Sequence, residues 1–170
     1  MKNLMIDLET MGTSTDSAIT SIAAVEFDET GTGKKFYRKV SLASSVEAGL
    51  QMDVSTILWW MENDKNEARA EMISGTTSLK EALLELSSFI SVMDMRVWGN
   101  GADFDNVLLA NAYRKCGIVV PWNFRNNRCF RTLKSLFPSP ATVKGIKHSA
   151  LDDAINQATQ ASEILKKHFS

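Results

Sequence analysis

The sequence predicts an α/β fold in which helices pack on a central mixed β-sheet. Three observations lead to this prediction: strand-like segments open the chain, helix-like segments follow, and a further short strand lies between two helices. The 170 residues favour a single domain spanning 1–170 with room for a hydrophobic core. An apolar fraction of 44% and a charged fraction of 23% are ordinary for a soluble globular protein.

The first three strands are predicted to form consecutive antiparallel hairpins. Residues 4–8 are an apolar run broken only by Asp7, which is typical of a buried strand. Residues 18–27 are rich in β-branched and small side chains and predict a second strand. The segment 28–33, DETGTG, supplies turn residues, and residues 35–42 pair back as a third strand.

Helical signals follow the three strands. Ser55 is predicted to cap a short helix over 55–63. The clearest amphipathic helix covers 78–92, where Ser78 and Glu81 form a capping box. Its apolar side chains recur at helical spacing: Leu79, Ala82, Leu83, Leu86, Phe89 and Ile90.

Another strand and helix come next. Residues 96–98 predict a short strand that ends in a glycine-containing loop. A helix over 103–116 follows, with Asp103 placed to be its N-cap and Gly117 to end it. Its predicted inward residues are Val107, Leu108 and Ala112.

The last quarter of the chain is predicted as a loop and a long helix. Residues 118–146 are mostly loop, with a short helical stretch at 132–137. The final helix covers 149–168 and begins with a second capping box, formed by Ser149 and Asp152.

Charge is distributed unevenly, although the formal net charge is only −1. No Asp or Glu occurs from Asn106 to Leu151. The basic residues of that stretch are Arg114, Lys115, Arg125, Arg128, Arg131, Lys134, Lys144 and Lys147. Such a stretch is either a solvated basic face or a surface for a phosphate backbone.

Compartment signals point to the cytoplasm. Cys116 and Cys129 form neither a disulfide framework nor a CxxC metal site, and we expect two reduced thiols. Asp7 and Glu9 interrupt the N-terminal residues before the apolar core of a signal peptide could form. No apolar run approaches the roughly 20 residues that span a bilayer. We therefore expect a cytoplasmic protein without a membrane partner.

Asp7 and Glu9 form a pair of carboxylates within an otherwise buried strand. Because they are two residues apart, both side chains point to the same face. Adjacent carboxylates repel one another unless a cation lies between them, and Mg²⁺ prefers oxygen ligands of this kind. The alternative is that one of the two faces solvent at the end of the strand.

Three further polar residues lie at helix starts. Asp105, in the first turn of its helix, either interacts with the helix dipole or projects toward a metal. His148 directly precedes Ser149, and Asp153 is one turn into the last helix. Asp152 is explained by the capping box, whereas Asp153 is not. A histidine at such a position is often only a surface residue.

These residues, in this order, resemble a known family. DLET at 7–10, FD at 104–105 and HSALDD at 148–153 are similar to the three motifs of the DEDDh 3′→5′ exonucleases. The third motif of that superfamily places Asp five positions after His, which selects Asp153 rather than Asp152. DLETMG, ILWW at 57–60 and the Arg-Thr pair at 131–132 more narrowly resemble the phage exonuclease A and Rv2179c-like branch, which suggests a phage or prophage origin.

The resemblance implies a fold and a mechanism. The fold would be a ribonuclease H-like three-layer α/β structure, with three antiparallel N-terminal strands plus parallel strands. Two Mg²⁺ ions, replaceable by Mn²⁺, would be held by Asp7, Glu9, Asp105 and Asp153. His148 would be the general base, since an imidazole suits proton transfer near neutrality. The expected reaction releases nucleoside 5′-monophosphates from the 3′ ends of single-stranded DNA or RNA.

Substrate contacts are also implied. The candidate residues are Thr10, Met11, Gly12, Trp60, Asn100, Phe104 and Arg131. Bases commonly stack on aromatic side chains in single-strand sites. Trp122 and Phe124 are candidates for stacking, whereas Trp59 and Trp60 either stack or pack in the core.

Departures from the superfamily pattern affect substrate detail only. Asn100-Gly101 stands where many members have His-Asn, and Arg131-Thr132 where many have Asp-Thr. Neither change removes a metal ligand.

Several alternatives stay open on the sequence. Within the same chemistry, RNA trimming is not separated from DNA degradation. A non-catalytic nucleic-acid-binding module would keep the fold without the reaction. A ribonuclease H-like endonuclease would not be expected to place a histidine five residues before the last Asp. Whether the protein is a monomer or a homodimer is also open.

Overall fold

The central sheet has five strands in the order β3-β2-β1-β4-β5. The structure is a computed structural model, and it describes residues 3–62, 66–90, 94–140, 145 and 148–169. The strands are β1 (Asn3–Thr10), β2 (Ile19–Asp28), β3 (Gly31–Lys39), β4 (Arg96–Gly99) and β5 (Asn127–Cys129). β1 to β3 pair antiparallel, whereas β4 runs parallel to β1 and β5 parallel to β4. The predicted mixed sheet is confirmed.

Helices follow and flank these strands. The α-helices are α1 (Leu42–Glu47), α2 (Val54–Trp60), α3 (Asn66–Met72), α4 (Leu79–Phe89), α5 (Asp105–Lys115), α6 (Phe130–Leu136) and α7 (Ala150–Phe169). A 3₁₀ turn, Phe124–Asn126, precedes β5. None of the described helices is long and apolar enough to cross a membrane.

The two faces of the sheet bury different side chains because strand residues alternate in direction. Leu4, Ile6 and Leu8 of β1 join a core formed with α4 and α5. Met5, on the opposite face, joins a second core with α7. The α7 residues in that core include the series Ala150, Ala154, Ala158 and Ala161. These small side chains allow α7 to pack closely on the face to which Asp7 and Glu9 also point.

Some predicted boundaries are wrong. The third strand begins at Gly31 and ends at Lys39, because α1 starts at Leu42. Asp53, not Ser55, caps α2: its carboxylate accepts the backbone N–H of Ser55. The short elements α1, α3 and β5 were not predicted.

The start of α5 also differs from the prediction. Asp103 is not the N-cap, since the helix begins at Asp105 with Phe104 in the cap position and no side-chain cap. Val107 is exposed rather than inward, whereas Leu108 and Ala112 are buried as predicted.

Other local predictions are confirmed. Ser78 caps α4, and its hydroxyl oxygen accepts the backbone N–H of Glu81 at 3.2 Å. Gly117 ends α5 with φ +68°, a conformation that glycine adopts without strain. Both cysteines are free thiols. The ends of the helices predicted over 55–63 and 78–92, and much of the loop before 148, lie outside the described residues.

Candidate active site

Three carboxylates from two elements meet beside the sheet. Asp7 and Glu9 project from β1 toward α7, and Asp153 lies in the first turn of α7. One oxygen of each lies within 4.8 Å of the others, and all three side chains are partly exposed. The close approach follows from the strand alternation of Asp7 and Glu9 and from the small residues with which α7 contacts the sheet.

Asp105 is the fourth predicted acidic residue and lies in the wall of the same cavity. It is only 5% exposed and is not part of the group of three. A Cβ at Gly99 would lie 3.0 Å from the Asp105 Cβ and 3.1 Å from Oδ2. Glycine at the end of β4 therefore leaves space for the Asp105 side chain against the strand.

The electrostatics of Asp105 reflect its burial. Burial raises the pKa of this carboxyl from 3.8 to about 7, opposed by backbone hydrogen bonds at Asn100, Asp105 and Leu8 and by the charge of Arg131. Without another source of positive charge, this group is therefore partly protonated near neutral pH.

Asp7 is perturbed in the same direction. Burial raises its pKa well above the usual range, and the charges of Asp105, Glu9 and Asp153 raise it further. The amide of Gln157 opposes this effect by donating a hydrogen bond from Nε2 to Asp7 Oδ1 at 2.7 Å. Repulsion of this kind is relieved by a cation, and the donor set, carboxylate oxygens alone, fits a hard divalent ion.

His148 enters the cavity wall in a strained backbone conformation. Its φ of +63° makes it the one non-glycine residue with positive φ in the described part of the chain. The imidazole packs edge-on to Trp59, with ring centroids 5.0 Å apart, and lies 6.4 Å from the Trp60 ring. These two indoles hold the histidine ring at the cavity beside Asp153.

Two neighbouring cavities meet at Leu8, Glu9 and Phe104. The first, about 430 Å³, is lined by Asp7, Leu8, Glu9, Asn100, Phe104, Asp105, Phe130, Lys134, His148, Asp153, Asn156, Gln157 and Gln160. We call it the carboxylate cavity. The second, about 550 Å³, is lined by Leu8, Glu9, Thr10, Gly12, Thr13, Ser55, Thr56, Trp59, Trp60 and Phe104. We call it the tryptophan cavity.

Most predicted substrate residues line one of these cavities, but two do not. Thr10, Gly12, Trp60 and Phe104 line the tryptophan cavity, and Asn100 lines the carboxylate cavity. Met11 is buried in the core and lines neither. Its backbone is engaged internally, since its N–H donates to Ala18 and its C=O accepts from Asp53.

Arg131 is exposed and lines neither cavity. Its Nη2 donates to the backbone C=O of Asn100 at 2.8 Å. Arg131 therefore supports the loop after β4, and this loop carries Asn100 into the cavity wall.

The predicted stacking residues are corrected by the structure. Trp122 is 5% exposed and packs edge-on against Tyr113, so it is a core residue. Phe124 is 74% exposed, but it precedes β5. Since β5 is parallel to β4, Phe124 lies at the end of the sheet opposite the cavities. Trp60 is buried and donates its indole N–H to the Thr10 C=O, whereas Trp59 is half-buried.

The basic stretch does not form one surface at the cavities. Among its described members only Lys134 lines the carboxylate cavity. Arg125 belongs to the 3₁₀ turn at the opposite end of the sheet, and Arg128 donates to its backbone C=O. Lys144 and Lys147 lie outside the described residues.

Sequence reasoning missed Gln157 and Lys134. A signal existed for Gln157: Asp153, Gln157 and Gln160 share helical spacing, and the alanines of α7 occupy the adjoining face. For Lys134 no comparable pattern exists, because it is one of several basic residues in a segment predicted mainly as loop.

Comparison with known proteins places this geometry in a family. The model of the Rv2179c-like 3′-5′ exoribonuclease domain matches residues 2–165. The comparison with curated protein sequences gives no match.

Solved structures of exonuclease I share the fold. Escherichia coli exonuclease I in complex with a dA16 oligonucleotide has a TM-score of 0.67 and 16% identity, covering 98% of this chain and 41% of that one. The zinc-bound E. coli enzyme in complex with single-stranded DNA has a TM-score of 0.65 and 16% identity, covering 99% and 41%. Exonuclease I from Methylocaldum szegediense has a TM-score of 0.63 and 14% identity, again covering 99% and 41%. The chain thus spans about two-fifths of their length.

These findings confirm the ribonuclease H-like α/β fold and the predicted relationship to 3′→5′ exonucleases. They do not support the homodimer that the sequence left open. The family implies dependence on a divalent metal, and Asp7, Glu9 and Asp153 form a cluster of carboxylates. Since the family model covers nearly the whole sequence, the chain belongs to the Rv2179c-like 3′-5′ exoribonuclease domains of the DEDDh superfamily.

Proposed function

We propose that this chain hydrolyses phosphodiester bonds from the 3′ end of single-stranded nucleic acid and releases nucleoside 5′-monophosphates. The observation that carries the proposal is the meeting of Asp7, Glu9 and Asp153 within 4.8 Å, in a cavity that Asp105 and His148 also line. Mg²⁺ is the proposed cofactor, with two ions per site and Mn²⁺ as a substitute. The four carboxylates would hold them.

The residues of the chain have distinct roles in this reaction. When bound, the divalent ions neutralise charge on the phosphate and activate the attacking water. Gln157 fixes the orientation of the Asp7 carboxylate through its hydrogen bond to Oδ1. His148, held by Trp59 and Trp60, accepts the proton of the attacking water on an imidazole nitrogen.

The tryptophan cavity is the proposed site of the 3′-terminal nucleoside. It adjoins the carboxylates at Glu9, and its volume of about 550 Å³ is suited to one nucleoside. Trp59 provides an aromatic surface for the base, and the hydroxyls of Thr13 and Ser55 are hydrogen-bonding groups in its wall. The oligonucleotide complexes of exonuclease I support a single-stranded substrate.

Both RNA and DNA are proposed substrates, since the family is named for exoribonucleases and the similar structures hold DNA oligonucleotides. The test incubates 3′- and 5′-labelled DNA and RNA oligomers with Mg²⁺ or with EDTA. We expect mononucleotides to appear first from the 3′-labelled end, and no product in EDTA. Internal fragments from a 3′-blocked oligomer would indicate an endonuclease, and no cleavage under any condition would indicate a binding module.

A further inference from the structure

Lys134 presents a positive charge in the wall of a cavity that four carboxylates also line. Its ammonium lies 5.2 Å from the centroid of the Phe130 ring, and both residues line the carboxylate cavity. Phe130 is only 1% exposed and belongs to the core between the sheet and α7. The lysine is therefore positioned by a rigid surface, with its ammonium attracted to the face of the ring.

Among the described residues, Lys134 forms no salt bridge with the acids that line the cavity. The ammonium thus lies more than 4.0 Å from every described carboxylate oxygen. A partly shielded cation without an acidic partner is suited to bind a phosphate oxygen.

The position of Lys134 in the cavity decides which phosphate it meets. The tryptophan cavity, proposed for the terminal nucleoside, joins the carboxylate cavity at Leu8, Glu9 and Phe104. Lys134 lines only the carboxylate cavity, on α6. Gln160, about 10 Å along α7 from Asp153, donates to Ser139 just beyond α6. The part of the carboxylate cavity that α6 forms therefore lies on the far side of the carboxylates from the tryptophan cavity.

From these positions we propose that Lys134 binds the phosphodiester immediately 5′ of the scissile one. The terminal nucleoside occupies the tryptophan cavity, the scissile phosphate lies at Asp7, Glu9 and Asp153, and the next phosphate of the strand reaches the Lys134 ammonium. This inference rests on the proposed exonuclease function. It assigns Lys134 to binding of the strand and leaves the chemical step to the carboxylates and His148.

The experiment compares Lys134→Met with Arg125→Met. The two variants are matched, because Arg125 lies over the Phe124 ring at 5.4 Å at the opposite end of the sheet. Methionine keeps an unbranched apolar side chain in both places and removes the charge. Thermal melting curves of both variants show whether they are folded.

The substrates are two single-stranded pentanucleotides that differ at one linkage. One is native, and the other has a neutral methylphosphonate at the linkage immediately 5′ of the scissile one. On the native oligomer we expect Lys134→Met to lower kcat/KM about tenfold, mainly through KM, as for loss of a hydrogen bond between charged groups. Arg125→Met should match the wild type, and Lys134→Arg should restore most of the loss.

The neutral linkage provides the decisive comparison. It should lower the wild-type kcat/KM about tenfold but have little further effect on Lys134→Met, since both changes remove the same contact. The dependence of log KM on log salt should also become shallower by about 0.7 in Lys134→Met. Equal losses for Lys134→Met on both oligomers, or no loss on the native one, would overturn the proposal. Failure of the wild type to release any mononucleotide would instead contradict the proposed function.

Discussion

The two ends of the sheet contain similar residues but differ in what surrounds them. At the end where β1 and β4 finish, carboxylates, His148 and Lys134 line one cavity. At the opposite end, Phe124 and Arg125 form a cation–ring pair on the surface. This pair and the pair of Lys134 with Phe130 both belong to the acid-free stretch 106–151. The difference shows that chain topology, rather than residue type, determines which basic and aromatic residues reach the site.

The largest expected effect belongs to Asp153, at the cavity end. Asp153→Asn should lower the rate about 10³-fold or more, because a metal ligand contributes several kcal/mol of charge stabilisation. Asp152→Asn is the control: Asp152 lies outside the group of three and approaches Gly145. It should change the rate by no more than about twofold. Steady-state assays in Mg²⁺ test both, and an inactive Asp152→Asn beside an active Asp153→Asn would reverse the assignment.

His148→Ala should have the second-largest effect on the rate of hydrolysis. Loss of a general base lowers rates by roughly 10²–10⁴-fold. Metal binding should persist because the carboxylates are unchanged, so Mg²⁺ should still raise the Tm of the variant. A variant with the wild-type rate would exclude His148 as the base, and loss of the Tm increase would indicate a role in holding the metal.

Gln157→Leu should have an intermediate effect. Among the described residues, the Gln157 side chain makes one hydrogen bond, from Nε2 to Asp7, and its Oε1 has no hydrogen-bond partner. Loss of such an outer contact typically lowers metal affinity about 10–100-fold. The Mg²⁺ concentration for half-maximal rate and the Mg²⁺-induced change in Tm measure this effect. Gln160→Leu, which breaks a bond to Ser139 instead, should leave both values unchanged.

The raised pKa of Asp105 makes the metal-free protein less stable as pH rises. Its pKa is about 7 when folded against 3.8 ordinarily, so the folded state binds more protons in this window. The free energy of unfolding therefore falls between about pH 4 and pH 7. Asp7 shifts in the same direction. In EDTA, urea unfolding should show lower stability at pH 8 than at pH 5, and Asp105→Asn should reduce this difference. Parallel pH profiles of the free energy of unfolding for the wild type and Asp105→Asn would contradict this prediction.

The smallest effect is expected at the opposite end of the sheet. Phe124→Ser should leave kcat and KM for oligonucleotides within about twofold of the wild type, as for other surface substitutions. A clear rise in KM for long strands, absent for short ones, would show that the substrate extends to this end. That result would show that both ends of the sheet contact the substrate.

The sequence predicted the parts of the fold that have strong local patterns. β1, β2 and α4 follow from apolar runs and helical spacing, and the Ser78 cap follows from its residue type. β5 has only three residues, all polar or small, so no periodicity could reveal it. Its parallel pairing with β4 is a tertiary feature, and this pairing places Phe124 at one end and Lys134 at the other.

The candidate site was predicted to a similar extent. Motif spacing selected Asp7, Glu9, Asp153 and His148, and the structure brings these residues to one cavity. Spacing could not reveal that Trp122 is buried or that Arg131 supports a loop, because both facts depend on which segment packs over which.

The alanine series of α7 has a consequence for ion choice. Ala150, Ala154, Ala158 and Ala161 set the distance between α7 and the sheet, and Asp153 lies on α7 whereas Asp7 and Glu9 lie on the sheet. Methyl-sized side chains therefore act as a spacer that fixes the gap between the carboxylates of α7 and those of β1. Cations are distinguished by radius as well as by ligand chemistry. We therefore expect ion selectivity in this domain to depend on side chains that never contact the ion.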